Sequence, residues 1–184
     1  MLKTDYLRAH DVLMTCKLFS LAEAQRSWTY AVLATELELS VGEAHNSLQR
    51  CRESGLLLPS REVSRENLRD LLSVVVPRVF IAARGGIGRG MPTSIYAAPL
   101  ASHFSFSKHA LPLVWPAVEG QGTEGRRGDS LLPICPSVPE AARRDVVVYE
   151  LLALADVFRV GSAVDRERAG DLLALRLLGQ RPAA

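Results

Sequence analysis

The sequence predicts an α+β fold, mainly α, and three observations carry that prediction. Apolar residues recur at helical spacing over most of the chain, polar capping residues stand at the heads of those stretches, and two β-like runs bracket a glycine-rich segment. At 184 residues, 48% hydrophobic and 23% charged, the chain can bury a substantial core and is no disordered polymer. The elements divide it into three regions: residues 1–100, a helical unit ending in a glycine-tipped hairpin; residues 101–139, a Pro/Gly-rich connecting segment; and residues 140–184, a helical region.

The first helix is expected from about Asp5 to Gln25, where Leu7, Val12, Leu13, Cys16, Leu18 and Phe19 form a broad apolar stripe around Lys17. Thr29 then caps a short helix from Tyr30 to about Leu37, with Val32, Leu33, Ala34 and Leu37 as its buried face. Ser40 and Glu43 have capping-box spacing, so a further helix is expected from Val41 to Ser54, docked through Val41, Ala44, Leu48 and Cys51 and ended by a left-handed Gly55. Ser64 caps the next helix, which Pro77 is expected to end. "RVFIAA" and "TSIYAAP" read as strands of a hairpin whose tip, "RGGIGRGMP", carries Arg84 and Arg89. Helical patterning returns in "PEAARRDVVVYELLALADVFRVG", closed by Gly161, and in "SAVDRERAGDLLALRLLG", opened by a Ser162–Asp165 capping box. Both are apolar on more than one face, which points to a homodimer interface or to mutual cover within one chain.

Charge and composition exclude several classes. The net charge of +2 conceals a middle third, residues 61–128, with 9 Lys+Arg against 5 Asp+Glu. An attraction for phosphate is expected there. The amino terminus, with Asp5, Arg8, His10 and Asp11, does not read as an export signal, and "LLSVVVPRVFIAA" is too short and too interrupted to span a bilayer, so the expectation is a cytoplasmic protein. Cys16, Cys51 and Cys135 read as buried, reduced thiols. The G-x-G-x-G of Gly86, Gly88 and Gly90 precedes a β-like run instead of a helix, which argues against a nucleotide site. No metal-ligand set or catalytic triad can be nominated, so neither cofactor nor enzyme activity is expected.

The chemistry-bearing feature is the outward face of the Val41–Ser54 helix. Gly42, Glu43, His45, Asn46, Gln49 and Arg50 are expected there, and Asn, Gln and Arg are the side chains that read base edges in a major groove. The glycine segment reads either as a flexible tip bringing Arg84 and Arg89 to phosphates or as an exposed turn.

Thr29-Tyr30, Leu33-Ala34, Leu37, Leu39-Ser40, Val41, Leu48 and Ser54-Gly55-Leu56 resemble the helix-turn-helix of bacterial winged-helix transcription factors, the MarR-like regulators, over roughly residues 5–60. The resemblance implies a winged helix-turn-helix with an added β-hairpin and C-terminal helices forming a dimer interface. It makes the protein a sequence-specific regulator of double-stranded DNA, a dimeric repressor, with Thr29, Ser40, Gly42, Glu43, His45, Asn46, Gln49 and Arg50 as contacts. Glu38 stands where the family has a turn glycine, so a left-handed non-glycine residue is expected there. Because a helix intervenes before the glycine hairpin, the short "LLLPSREVS" turn with Arg61 is a second candidate for the wing. The alternative function is a protein-interaction adaptor, or an antitoxin-type binder of a protein partner, that keeps the fold without touching DNA.

Overall fold

The computed structural model describes residues 6–107, 109–117 and 125–179. Asp5, part of the expected connecting segment (108 and 118–124) and residues 180–184 lie outside the described residues. The fold is α+β and mainly helical, with one three-stranded sheet. No described helix is long and apolar enough to cross a membrane.

Three helices open the chain: α1 (Ala9–Glu23), α2 (Tyr30–Glu36) and α3 (Val41–Glu53). Thr29 caps α2, its hydroxyl accepting from Val32 N at 3.2 Å, and Ser40 caps α3 by accepting from Glu43 N at 3.1 Å. Glu38 has φ 56° in the turn between them, the left-handed conformation expected of it, and Gly55 ends α3 at φ 74°. Leu33, Ala34, Leu37, Ala44, Leu48 and Cys51 are buried, but Val32 and Val41 face solvent, because the short α2 and the first turn of α3 overhang the edge of the core. A tight hairpin follows, closed by a Leu57–Val63 bridge with Arg61 (φ 71°) at its tip.

Ser64 caps α4 (Arg65–Asp70), which runs through a π-helical segment (Leu71–Val75) into α5 (Val76–Val79). Pro77 does not end this run as expected. It sits in the first turn of α5, where a missing N–H is tolerated. The glycine hairpin is also corrected: "RGGIGRGMP" is itself strand β1 (Arg84–Pro92), while the two runs expected as strands are the end of α5 with an irregular segment and a 3₁₀ turn at Ser94–Tyr96. Its partners come from the expected connecting segment, β2 (Leu113–Pro116) and β3 (Arg126–Leu131). β1 is antiparallel to both, and β2 is parallel to β3, so the three strands close on one another. Glycine permits that closure: a Cβ at Gly90 would stand 1.9 Å from the Trp115 carbonyl oxygen and one at Gly128 2.1 Å from that of Pro112.

The helix expected across "PEAARRDVVVYELLALADVFRVG" is two, α6 (Val138–Arg144) and α7 (Val146–Val160). Asp145 breaks it in an extended conformation, and its carboxylate caps α7 through Val147 N and Val148 N. α8 (Ala163–Leu178) begins with the expected Ser162–Asp165 capping box. α7 is buried from Val148 to Val157 except at Glu150, packed against α1, α5, α6, α8 and the 3₁₀ turn. The leucines on several of its faces are therefore covered within the chain. Its Asp156 ties the sheet to the helices, accepting from Trp115 Nε1, Thr93 Oγ1 and Arg159 Nη1 at 2.7, 2.7 and 2.6 Å. Burial raises the Asp156 carboxyl above its ordinary range against the opposing pull of Arg159.

Candidate nucleic-acid interface

The site is built on α3, and its geometry begins with how α3 is held to α1. Asp11 is wholly buried and each of its carboxylate oxygens has two donors. Oδ2 accepts from Arg8 N and Arg50 Nε at 2.8 Å each, and Oδ1 accepts from Ser47 Oγ at 2.6 Å and Arg50 Nη2 at 2.8 Å. Arg50 is 5% exposed, and the hydrogen bond from Asp11 pushes its already high pKa higher against the cost of burial. The expectation that Arg50 faces outward is thus corrected: a buried carboxylate on the neighbouring helix draws it inward. Glu43 is corrected too. Its carboxylate does not return to Ser40 N but accepts from Arg50 Nη2 at 2.7 Å and lies 3.9 Å from Arg8, leaving it half-buried. Sequence pattern could not find Asp11 as this partner, since it lies 39 residues from Arg50.

A second buried group orients α2. Lys17, 3% exposed, bridges Asp145 (2.7 Å) and Glu36, and Ser20 Oγ also donates to Asp145 at 2.7 Å. Burial alone would raise the Asp145 carboxyl, but the hydrogen bonds from Lys17 and Ser20 outweigh it and hold the group below its ordinary value.

With its inner side fixed in this way, α3 presents Gly42, His45, Asn46 and Gln49 to solvent, with Thr29 and Ser40 exposed at the two caps. Gln49 Nε2 donates to Glu53 Oε1 at 2.8 Å, and the His45 ring rests 5.4 Å from that of Tyr30. Two residues that the sequence reading did not place on this face join it. Arg52 is exposed three positions beyond Gln49, a helical spacing that could have found it. Trp28 lies against Tyr30 with ring centroids 6.1 Å apart and carries the Arg61 guanidinium 5.5 Å above its ring. Arg61 separates two shallow grooves. One, of about 660 Å³, runs between Arg52, Leu58 and Asn67; the other, of about 460 Å³, runs along Arg26, Trp28 and Tyr30.

Arg84 and Arg89 do not belong to this face. Both are exposed on β1, where Arg89 stands opposite Arg127 of β3 and donates from Nη1 to the Gly125 carbonyl at 3.1 Å. α6 is tied to the end of α2 and the turn before α3: Arg144 Nη1 donates to the Thr35 carbonyl at 2.9 Å and its guanidinium reaches Glu38 at 3.5 Å. Among the described residues no group of three or more His, Cys, Asp or Glu converges as a metal site. All three thiols are buried, and burial raises each, Cys51 to about 11.

Comparison with protein families, with curated proteins and with solved structures returned no match.

Proposed function

We propose that this protein is a sequence-specific, double-stranded-DNA-binding transcriptional regulator of winged-helix type, a dimeric repressor that inserts α3 into the major groove. One observation carries the reading. A buried Asp11–Arg50 pair locks one side of α3, while Gly42, His45, Asn46, Gln49 and Arg52 stand exposed on a helix capped by Ser40. An amide pair with a nearby guanidinium is the equipment for reading adenine and guanine edges. The Leu57–Val63 hairpin follows α3 directly and offers Arg61 as the wing residue, held over Trp28. Twofold pairing would set two copies of α3 about one duplex turn, 34 Å, apart. The exposed Val164 and Leu175 of α8 are apolar positions that such a contact would cover.

A protein-interaction adaptor is the second reading, favoured by the Gln49–Glu53 hydrogen bond and by the near balance of charge in residues 1–60, 6 Lys+Arg against 7 Asp+Glu. Selection of bound sequences from a random duplex pool, followed by fluorescence anisotropy on the selected site, separates the two. Gln49→Ala should cost roughly 1 to 3 kcal/mol at one base pair and little at a mutated site. Equal affinity of the wild type and an Asn46→Ala, Gln49→Ala double variant for every duplex would leave the adaptor.

A further inference from the structure

The sheet places two arginines face to face. Arg89 of β1 and Arg127 of β3 are direct cross-strand partners, so their side chains leave the same face about 5 Å apart at the Cβ atoms. Both are exposed, and the hydrogen bond that Arg89 makes goes to the neutral carbonyl of Gly125. Asp129, the next residue of β3 on that face, opposes Ile87 and forms no ion pair with either arginine. On the adjoining rung Gly90 opposes Arg126, which together with Arg143 lines a groove of about 270 Å³ beside Gly125.

Like charges set directly opposite one another destabilise a sheet. Arg89 spends one N–H on the Gly125 carbonyl, and the donors left on it and on Arg127 rise from opposed positions of a three-stranded closure, so an anion able to accept from both is stabilising there, and a phosphodiester is such an anion. The location favours a polymer over a free ion. The Ala117 amide donates to the Arg89 carbonyl at 3.0 Å, and Pro116 and Ala117 share a pocket with Glu38 of the α2–α3 turn and Arg143 of α6. The arginine face is thus linked through α6 to the turn that precedes α3.

We infer that Arg89 and Arg127 form a second nucleic-acid contact, a sequence-independent clamp on the phosphodiester backbone separate from α3. This deepens the DNA-binding reading and rests on it for the duplex, but the clamp acts on any phosphodiester chain. It extends the footprint past what one helix covers and concentrates the protein on DNA before sequence is read.

The test uses the full chain, a random-sequence duplex and an oligothymidylate, with anisotropy measured between about 50 and 200 mM salt. Arg127→Ala should lower the slope of log affinity against log salt by about 0.9 on the duplex and about 0.7 on the single strand, a loss of several-fold on either probe near 0.1 M salt. An Arg89→Ala, Arg127→Ala double variant should lose about twice that slope, and Arg127→Lys should retain most of it. Arg127→Glu should abolish the contribution while leaving the melting temperature unchanged or higher, since it turns a like-charge pair into an opposite one. A merely structural arginine would instead lower that temperature. Unchanged salt slopes for the double variant on both probes, or no binding of either probe by the wild type, would overturn the clamp. Loss of slope in these variants, with no sequence preference at Gln49, would keep the clamp and remove the α3 reading. A Gln49 effect without an arginine effect would do the reverse.

Discussion

Asp11→Ala is the substitution that most directly probes how α3 is held. The carboxylate accepts four hydrogen bonds and is the principal counter-charge of Arg50, which is 5% exposed. Removing it leaves a buried guanidinium with Glu43 alone, and breaking a buried pair from one side costs about 3–5 kcal/mol. Against a total stability of roughly 5–15 kcal/mol this is a large fraction. For a domain of this size each kcal/mol moves the melting temperature by about 2–4 °C, so a fall of roughly 6–20 °C is expected. Urea unfolding followed by the fluorescence of Trp28 and Trp115 measures the free-energy change directly. The double replacement Asp11→Leu with Arg50→Met should recover most of the loss, because two apolar side chains leave no charge unpaired. A loss below about 1 kcal/mol for Asp11→Ala, the range of an exposed ion pair, would refute the buried-lock account. It would also return Arg50 to the list of groups free to meet a base.

Two further outcomes follow from the same geometry. The Asp145 carboxyl is held below its ordinary value in the folded chain, so its contribution is fully present above the unfolded pKa of about 3.9 and is lost as pH falls through the folded value; Asp145→Asn should flatten that acid limb in thermal melts run from neutral to strongly acidic pH. In the sheet, Gly90→Ala drives a Cβ to 1.9 Å from the Trp115 carbonyl and should cost more than about 1–3 kcal/mol, whereas Gly86→Ala, with nothing within 4 Å of its Cβ, should be neutral or stabilising by up to about 1 kcal/mol. Equal denaturation midpoints for the two glycine variants would contradict the closed three-strand arrangement.

Much of the helical framework was legible because its signals are local. Thr29, Ser40, Ser64 and Ser162 each cap the helix that follows, and Gly55 adopts the left-handed conformation that ends α3. Glu38 takes the same conformation although it is not glycine. The sheet was not legible. A run with Gly85, Gly86, Gly88 and Gly90 has the composition of a turn, and only the close approach of β2 and β3 makes small residues an asset in a strand. Asp145 was equally opaque: its neighbours continue a helical pattern, and the break appears only because its carboxylate serves Lys17, Ser20 and the start of α7 together.

The candidate site divides along the same line. At about 100° per residue, Arg52 lies nearer the centre of the apolar stripe of α3 than Arg50 does, roughly 70° against roughly 130°. Periodicity within the helix would therefore bury the wrong arginine, and it is Asp11 on α1 that draws Arg50 inward while Arg52 stays in water. What the amino-acid order determined by itself is therefore the run of helices from α1 to α3 and the polar character of the flank carrying His45, Asn46 and Gln49, since capping and periodicity act within a few residues. What only the tertiary structure decided is which arginine is structural, that the glycine run is a strand, and that Arg89 meets Arg127. Those outcomes depend on partners 38 residues distant along the chain in the register Arg89↔Arg127 and 39 residues distant in the Arg50–Asp11 pair, and burial of charge and strand closure are settled by what the fold brings alongside.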